Sequence, residues 1–318
     1  MKTDIKKELP GIKKDVPLKG YSTYKIGGKA RYFFEAKNKE DLIMAIKAAR
    51  KFKLPYFILA GGSNILFSDS GYKGLVIKIK FQNVKVKDSE IYVEAGVSLN
   101  DLVSISTSHN LTGFEWAAGI PGATLGGSIF GNAQAFGDRI SDSVKSAEVL
   151  DIGTLKIRKF TNKQCGFKSK TSVFKSKGNL IITSAVLKLK KGKLSEIKET
   201  VKEHLEYRKK MHPLKYPSAG SVFVNPEIKI KDKKILKKFP DLVEFNKKGF
   251  IHSGYLIDMC GLKGKKCGRA QISEQHANFI INLGGAKAKD VICLINLAKK
   301  SVFRKFKIKL GEEIRIVK

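Results

Sequence analysis

The stretch "GIPGATLGGSIFGNAQAFG" (residues 119–137) carries six glycines in nineteen positions, with Pro121 near its start and Asn132 near its end. Glycine permits positive φ and lets bare backbone approach a neighbour closely. Successive N–H groups in such turns form concavities that hold phosphate oxygens. A second segment, "AGGSN" (60–64), follows the apolar run "PYFILA" (55–60) and has the same character. Together the two suit a pyrophosphate gripped from both sides, with the Ser128 hydroxyl as one more donor. Two tight turns packing strands closely account for the glycines equally well. No two glycines are spaced i, i+2, so the G-x-G-x-x-G fingerprint of ordinary dinucleotide folds is absent, and no G-x-x-x-x-G-K-[ST] loop occurs.

Outward from these loops, "ARYFFEA" (30–36) reads as a strand and "NKEDLIMAIKAARKFK" (38–53) as a helix. Asn38 suits the N-cap, Glu40 and Asp41 suit the first turn, and Leu42, Ala45, Ile46 and Ala49 recur at helical spacing. "PYFILA" then completes a β-α-β unit that ends in a glycine turn. "GLVIKIK" (74–80) and "IYVEAGV" (91–97) read as strands, and "SLNDLVSISTSHN" (98–110) as a helix. Beyond the glycine segment, "SAEVLD" (146–151), "LKIRKF" (155–160) and "NLIITSAVLKLK" (179–190) read as strands. A long polar helix follows, from Lys193 to about Lys210. The remainder alternates strands and helices around "SAGSVFVNP" (218–226), "QISEQHANFIIN" (271–282) and "EEIRIVK" (312–318). Ile292, Leu294, Ile295, Leu297 and Ala298 among lysines predict an amphipathic helix over 287–303 that covers a sheet. The fold class is α+β, in three units: 1–80, 81–193 and 194–318, the last ending in a strand over 309–317.

A chain of 318 residues exceeds the size at which single cores stop growing. Its 42% apolar and 29% charged composition is that of a globular protein. No apolar run approaches a membrane span, and "MKTDIKKELPGIKKD" has no apolar signal region, which predicts a cytoplasmic protein. Cys165, Cys260, Cys267 and Cys293 form no C-x-x-C pair, so reduced structural thiols and no metal site are expected. The net charge of +33 is mostly lysine spread along the chain, as in "QNVKVKD" (82–88) and "IKIKDKKILKK" (228–238). A basic nucleic-acid-binding protein would carry such charge, but here it is not gathered on one element. Solvated lysine faces, or a positive field for a phosphate-rich ligand, explain it without nucleic acid.

"AGGSNIL" (60–66), "AGIPGATLGGSIFGNAQAFG" (118–137), "PSAGSVFVNP" (217–226), "GYLIDMCGLKG" (254–264), "QISEQHANFIIN" (271–282) and "EEIR" (312–315) occur in one order. In that order they resemble the UDP-N-acetylenolpyruvoylglucosamine reductases (the MurB family). "YSTYKIGGKARYF" (21–33) is similar to the family's N-terminal signature. The resemblance covers residues 18–317, and the absence of an inserted tyrosine-bearing loop is similar to the type II form. It implies a two-part FAD-binding domain of the vanillyl-alcohol-oxidase (PCMH) type, with a C-terminal domain closing over a UDP-sugar. FAD would be held non-covalently by Gly61, Gly62, Ser63, Asn64, Gly119, Ile120, Pro121, Gly122, Gly126, Gly127, Ser128 and Asn132. No histidine or cysteine lies within 60–66 or 118–137 to tether a flavin.

The implied reaction moves a hydride from NADPH through the flavin to C3 of an enolpyruvyl group and a proton to C2. Ser221 matches the family's proton donor, and Glu313 the carboxyl that stabilises the enolic intermediate. Taken alone, Ser221 reads as a turn serine before a strand and Glu313 as a surface partner of Arg315. The family's catalytic arginine corresponds to Lys170 in "CGFKSKTSVFK" (165–175), which keeps the charge and loses the planar fork. Asn225, Lys263, His276 and Arg208 match substrate-contacting positions. Asn225 also reads as a turn residue before Pro226, and His276 as a helix-cap histidine. Met211, His212 and Val224 replace lysine, glutamine and lysine of the usual pattern, and "GIPGATLGGS" is one residue longer than the usual loop. Another flavin oxidoreductase of the same fold would share the glycine segments without needing Ser221 and Glu313.

Overall fold

Asn38 opens the first long helix as its position predicts. In the computed structural model, which describes residues 4–318, its side chain accepts from the Asp41 amide at 2.7 Å and caps the helix Lys39–Lys51. Glu40 and Asp41 occupy the positive end and Arg50 and Lys51 the negative end, each suited to the helix dipole. Leu42, Ala45, Ile46 and Ala49 are the buried stripe. The helix joins the strands Lys29–Ala36 and Tyr56–Leu59, and Tyr72–Ile79 lies between them, parallel to both. Lys13–Pro17 adds an antiparallel edge to this four-stranded sheet.

A second, five-stranded antiparallel sheet runs in the order Lys156–Thr161, Val144–Asp151, Leu180–Lys188, Glu90–Glu94 and Val84–Lys87. Ser98 caps the helix Leu99–Ser108 through the Asp101 amide at 3.0 Å. The two sheets share one core with Trp116, Leu125 and Ile129 from the glycine segment.

Main-chain proximity divides the chain into two units. The first takes the chain up to Pro17, Lys29–Gly62 and Tyr72–Arg208. The second takes Leu18–Gly28, Ser63–Gly71 and Lys209–Lys318. Met1, Lys2 and Thr3, at the head of the expected 1–80 segment, lie outside the described residues.

The second unit is built on the helix Ala288–Phe306, whose Val291, Leu294, Ile295, Ala298, Val302 and Phe306 are buried. Beside it lies a small antiparallel sheet of Lys266–Cys267, Ala270–Ile272 and Ile280–Asn282. The early segments lock into this unit. Tyr24 is fully buried and donates its hydroxyl to the Ile280 carbonyl at 2.7 Å. The Asp69 carboxylate accepts from the amides of Ala288 and Lys289 at 2.8 and 3.1 Å, capping the long helix. Ile65–Phe67 pairs in parallel with Arg315–Val317.

Two expectations need correction. Cys267 and Cys293 are joined by a disulfide, with their Cα atoms 6.4 Å apart, so only Cys165 and Cys260 are free thiols. Sequence spacing missed the pair because folding lays the hairpin strand carrying Cys267 beside the helix carrying Cys293. The strands expected at "SAGSVFVNP" and over 309–317 shrink to a single bridge, Phe223↔Glu312, and to Arg315–Val317. Residues 222–224 and 311–314 cross with a few single bonds between them. No helix among the described residues is long and apolar enough to cross a membrane.

Candidate functional site

In the first unit the two glycine loops meet backbone to backbone. A Cβ on Gly61 would fall on the Gly122 carbonyl oxygen; one on Gly126 would stand 2.9 Å from Ala95 Cβ, and one on Gly127 3.3 Å from Ala60 Cβ. Close packing therefore accounts for these three glycines. It leaves something over. The amides of Gly61, Gly122, Ala123 and Gly127 donate to no backbone carbonyl among the described residues. The Thr124 hydroxyl, beside Gly61 and Gly127, is buried with no hydrogen-bond partner. Orphaned donors are rare in a folded protein, and a cluster of them beside bare backbone fits an anionic group. Thr124 was missed by the sequence reading; its hydroxyl sits among the glycines of a segment already singled out.

The other expected cofactor positions divide. Gly62, Gly119 and Gly122 have φ of +76°, +73° and +62°, which only glycine adopts freely. The Gly119 amide donates to Asn100 Oδ1 at 2.9 Å, and Ile120 to the Ala117 carbonyl at 3.3 Å, while Pro121 is exposed. Ser128 is buried on the short helix Leu125–Gly131. Asn132 terminates that helix in the left-handed region, with its side chain engaged by the Lys168 carbonyl at 2.9 Å and the Ser141 amide at 3.3 Å. Ser63 and Asn64 belong to the second unit.

Those Asn132 bonds fix the turn that bears Lys170. Lys168 and Thr171 exchange backbone bonds at 3.1 and 3.2 Å, and Ser172 Oγ donates to the Phe130 carbonyl at 2.8 Å. Lys170, half-buried at φ +52°, is thereby tied to the end of the glycine segment. The Lys175 ammonium donates to the Lys170 carbonyl at 2.9 Å, which ties that side chain back to the turn. Arg208 is 6% exposed and donates to the carbonyls of Ala118 and Trp116 at 2.7 and 2.9 Å. Burial pulls its guanidinium down to about 10. In this arrangement Arg208 braces the entry to the glycine segment.

In the second unit, residues far apart in sequence converge. The Glu313 amide donates to the Val222 carbonyl at 2.8 Å, and the Val224 amide to the Gly311 carbonyl at 3.0 Å. Ser221 and Glu313 therefore sit on adjoining backbones. Asn64 joins them: its side chain donates to the Glu313 carbonyl at 3.1 Å, and its own carbonyl accepts from Arg315 at 3.0 Å. Asn278, 4% exposed, holds the Ser221 side in place. Its Oδ1 accepts from Phe223 at 3.0 Å, its Nδ2 donates to the Phe223 carbonyl at 2.9 Å, and its carbonyl accepts from Val222 at 2.8 Å. In the sequence Asn278 lies within "QISEQHANFIIN" (271–282), and nothing local marks its role there.

The expected substrate positions lie nearby in the same unit. Asn225 Oδ1 accepts from the Ser253 amide at 3.0 Å, where the helix Ser253–Met259 begins, and its Nδ2 lies 3.4 Å from His252 Nδ1. Lys263 pairs with Asp258 at 2.5 Å. His276 Nδ1 accepts from the Asn278 amide at 3.2 Å. Burial, and then the charges of Lys263 and His252, hold His276 below the usual imidazole range. His276 is thus a neutral acceptor fixed by the same loop as Asn278. His252 was also missed; only its place beside Asn225 reveals it.

The chain is a flavin-binding α+β protein: residues 30–160, which span the glycine loops, match the FAD binding domain family. Residues 212–317, which carry Ser221 and Glu313, match the C-terminal domain of UDP-N-acetylenolpyruvoylglucosamine reductase. A reductase of that name from Anoxybacillus flavithermus is 37% identical over 309 residues, covering 96% of this chain and 94% of that protein. One from Caldanaerobacter subterraneus subsp. tengcongensis is 38% identical over 95% of this chain and 92% of its own. The crystal structure of the Thermus caldophilus reductase superimposes with a TM-score of 0.76 at 30% identity, over 96% of this chain and 98% of that one. The chain belongs to the UDP-N-acetylenolpyruvoylglucosamine reductase family.

Proposed function

We propose that the protein reduces UDP-N-acetylglucosamine enolpyruvate to UDP-N-acetylmuramate, with NADPH as hydride donor, in cytoplasmic peptidoglycan precursor synthesis. The observation that carries the reading is the meeting of Ser221, Glu313 and Asn64 through backbone bonds of residues 222, 313 and 315. Residues 1–80 and 81–193 form the FAD-binding part in this reading, and 194–318 the substrate-binding part. The orphaned amides of Gly61, Gly122, Ala123 and Gly127, with the Thr124 hydroxyl, would hold the pyrophosphate of non-covalently bound FAD. The flavin, when bound, supplies hydride storage and its delivery to C3 of the enolpyruvyl group.

The chain's own residues do the rest. Ser221 gives its proton to C2, a step typically worth 10²–10⁴-fold for one positioned acid. A hydroxyl is a weak acid, so it needs nearby charge. Lys170 offsets negative charge developing on the substrate carboxylate as a point cation, and Glu313 stabilises the enolic form. Asn225, Lys263 and His276 bind the UDP-sugar, and Arg208 supports the glycine segment.

The test is NADPH oxidation by the purified flavoprotein with and without UDP-N-acetylglucosamine enolpyruvate. Substrate-dependent turnover with release of all flavin into an acid supernatant supports the reading. A reduced enzyme that this substrate leaves reduced favours a flavin oxidoreductase of other specificity, to which the replacements at Met211, His212 and Val224 would then belong.

A further inference from the structure

Most of the lysines are solvated or paired with carboxylates; Lys78 is neither. It lies on the strand Tyr72–Ile79 between Ile77 and Ile79, which point into the core with Leu42 and Ile46. Lys78 takes the opposite face, half-buried, in register with Glu35 on one side and Leu59 on the other. Its ammonium donates to the carbonyl of Ala60, the residue before Gly61. No carboxylate pairs with it among the described residues, whereas half-buried Lys39 reaches Glu148 at 2.6 Å. A desolvated ammonium with a single carbonyl for company is costly, so its place here calls for a reason.

The geometry of the peptide supplies that reason. The Ala60–Gly61 peptide is trans, so its C=O and N–H point in opposite directions. Lys78 holds the oxygen, and the Gly61 N–H is therefore aimed away from Lys78. That N–H has no backbone acceptor. A charge-assisted bond at the oxygen also polarises the amide and strengthens what the N–H can donate. We propose that Lys78 is a positioning residue for FAD, acting through the Ala60–Gly61 peptide to orient and polarise the Gly61 N–H toward the cofactor's phosphates. The inference rests on the reading of the two glycine loops as the pyrophosphate cradle.

The charged groups facing Lys78 are Glu35 on the neighbouring strand and Lys80 two residues along its own. Burial, with the nearby Lys80 charge, lowers the Lys78 ammonium to about 8. Binding an anion favours the protonated form. FAD affinity should therefore weaken as pH rises through 8, while an arginine in the same place stays charged throughout.

The test is titration of flavin-stripped protein with FAD, followed by flavin fluorescence, between pH 7 and 9.5. Lys78→Met should raise the FAD Kd by about 10- to 100-fold at pH 7, the scale of one charge-assisted bond, and flatten its pH dependence. Lys78→Arg should keep the tight Kd at pH 7 and hold it to pH 9.5. An unchanged Kd and pH profile in Lys78→Met overturns the proposal. Should that variant fail to fold by circular dichroism, a Lys78→Arg protein that keeps the parental pH step overturns it instead. Thr124→Val, which removes a cradle donor and keeps the side chain's shape, is the control for the cradle: weakened FAD binding there with normal binding by Lys78→Met sinks only the role of Lys78. Normal binding by both removes the cradle reading as well.

Discussion

Asn278 offers the most quantitative entry to the site. Its side chain serves both backbone polar groups of Phe223, which is 2% exposed, at 3.0 and 2.9 Å. Asn278→Ala removes both partners and leaves a buried N–H and C=O unsatisfied. Each orphan costs about 1–3 kcal/mol, so about 2–4 kcal/mol is expected after partial relaxation. Against a total stability on the order of 5–15 kcal/mol this is a large fraction. At roughly 2–4 °C per kcal/mol, the melting transition should fall by about 5–15 °C. The Val222 amide keeps its bond to the backbone carbonyl of residue 278, so the loop loosens without detaching. Below the transition, FAD content and the rate of flavin reduction by NADPH should hold. Reoxidation by substrate should slow by at least about tenfold, because Ser221 is two residues from the loosened Phe223. Thermal melts read by circular dichroism and stopped-flow half-reactions measure both. A variant melting within about 2 °C of the parent, with an unchanged substrate step, would refute the assignment of Asn278 as the support of Ser221.

Ser221→Ala should slow substrate reduction by on the order of 10²-fold and leave flavin reduction intact; equal loss in both half-reactions makes Ser221 merely structural. Lys170→Ala should cost on the order of 10²–10³-fold in the substrate step with flavin retained, and Lys170→Arg should be tolerated. Single-turnover reoxidation of Lys170→Ala at the parental rate would mean that another cation, such as Lys168, serves the carboxylate. Reducing the Cys267–Cys293 bond, which spans 26 residues, should lower the melting temperature of the oxidised protein by several degrees, since such a cross-link contributes about 3 kcal/mol. Cys293→Ser should melt like the reduced parent and ignore the reductant; identical melts with and without reductant would deny the staple any role.

What was legible in the sequence was local. Asn38, the charges after it and the 3.6-residue stripe specify one helix without help from elsewhere. "SAEVLD" and "LKIRKF" likewise read as strands, and the two pair with each other. The α+β class followed from such elements. The glycine segments were recognisable because bare backbone is conspicuous, but two explanations competed. Only three-dimensional packing separates the glycines that admit a neighbour from the amides left without one. Other features depend on distant partners and leave no local trace. Asn278 acts 55 residues from Phe223, Lys78 is one lysine among many until its neighbour is known, and Cys293 finds Cys267 across a helix and a hairpin. The strand expected over 309–317 failed for a related reason: its first half meets residues 222–224 at a crossing and gains no partner to run beside.

The parallel pairing of Ile65–Phe67 with Arg315–Val317 bears on the order in which the molecule can be built. A growing chain emerges from the ribosome N-terminal end first. The residues of the first unit are all available once Arg208 has emerged. Residues 63–71 must wait, because their strand partner is synthesised some 250 positions later, and loops of that span close slowly. Asn64, clasped to Glu313 and Arg315, waits with them. The "AGGSN" motif is thus completed in two instalments: Ala60 to Gly62 early, Ser63 and Asn64 only after residue 315 docks. A stalled or clipped chain lacking its last few strand residues would hold Gly61 and Gly62 in place while residues 63–71 wait without the strand they pair with.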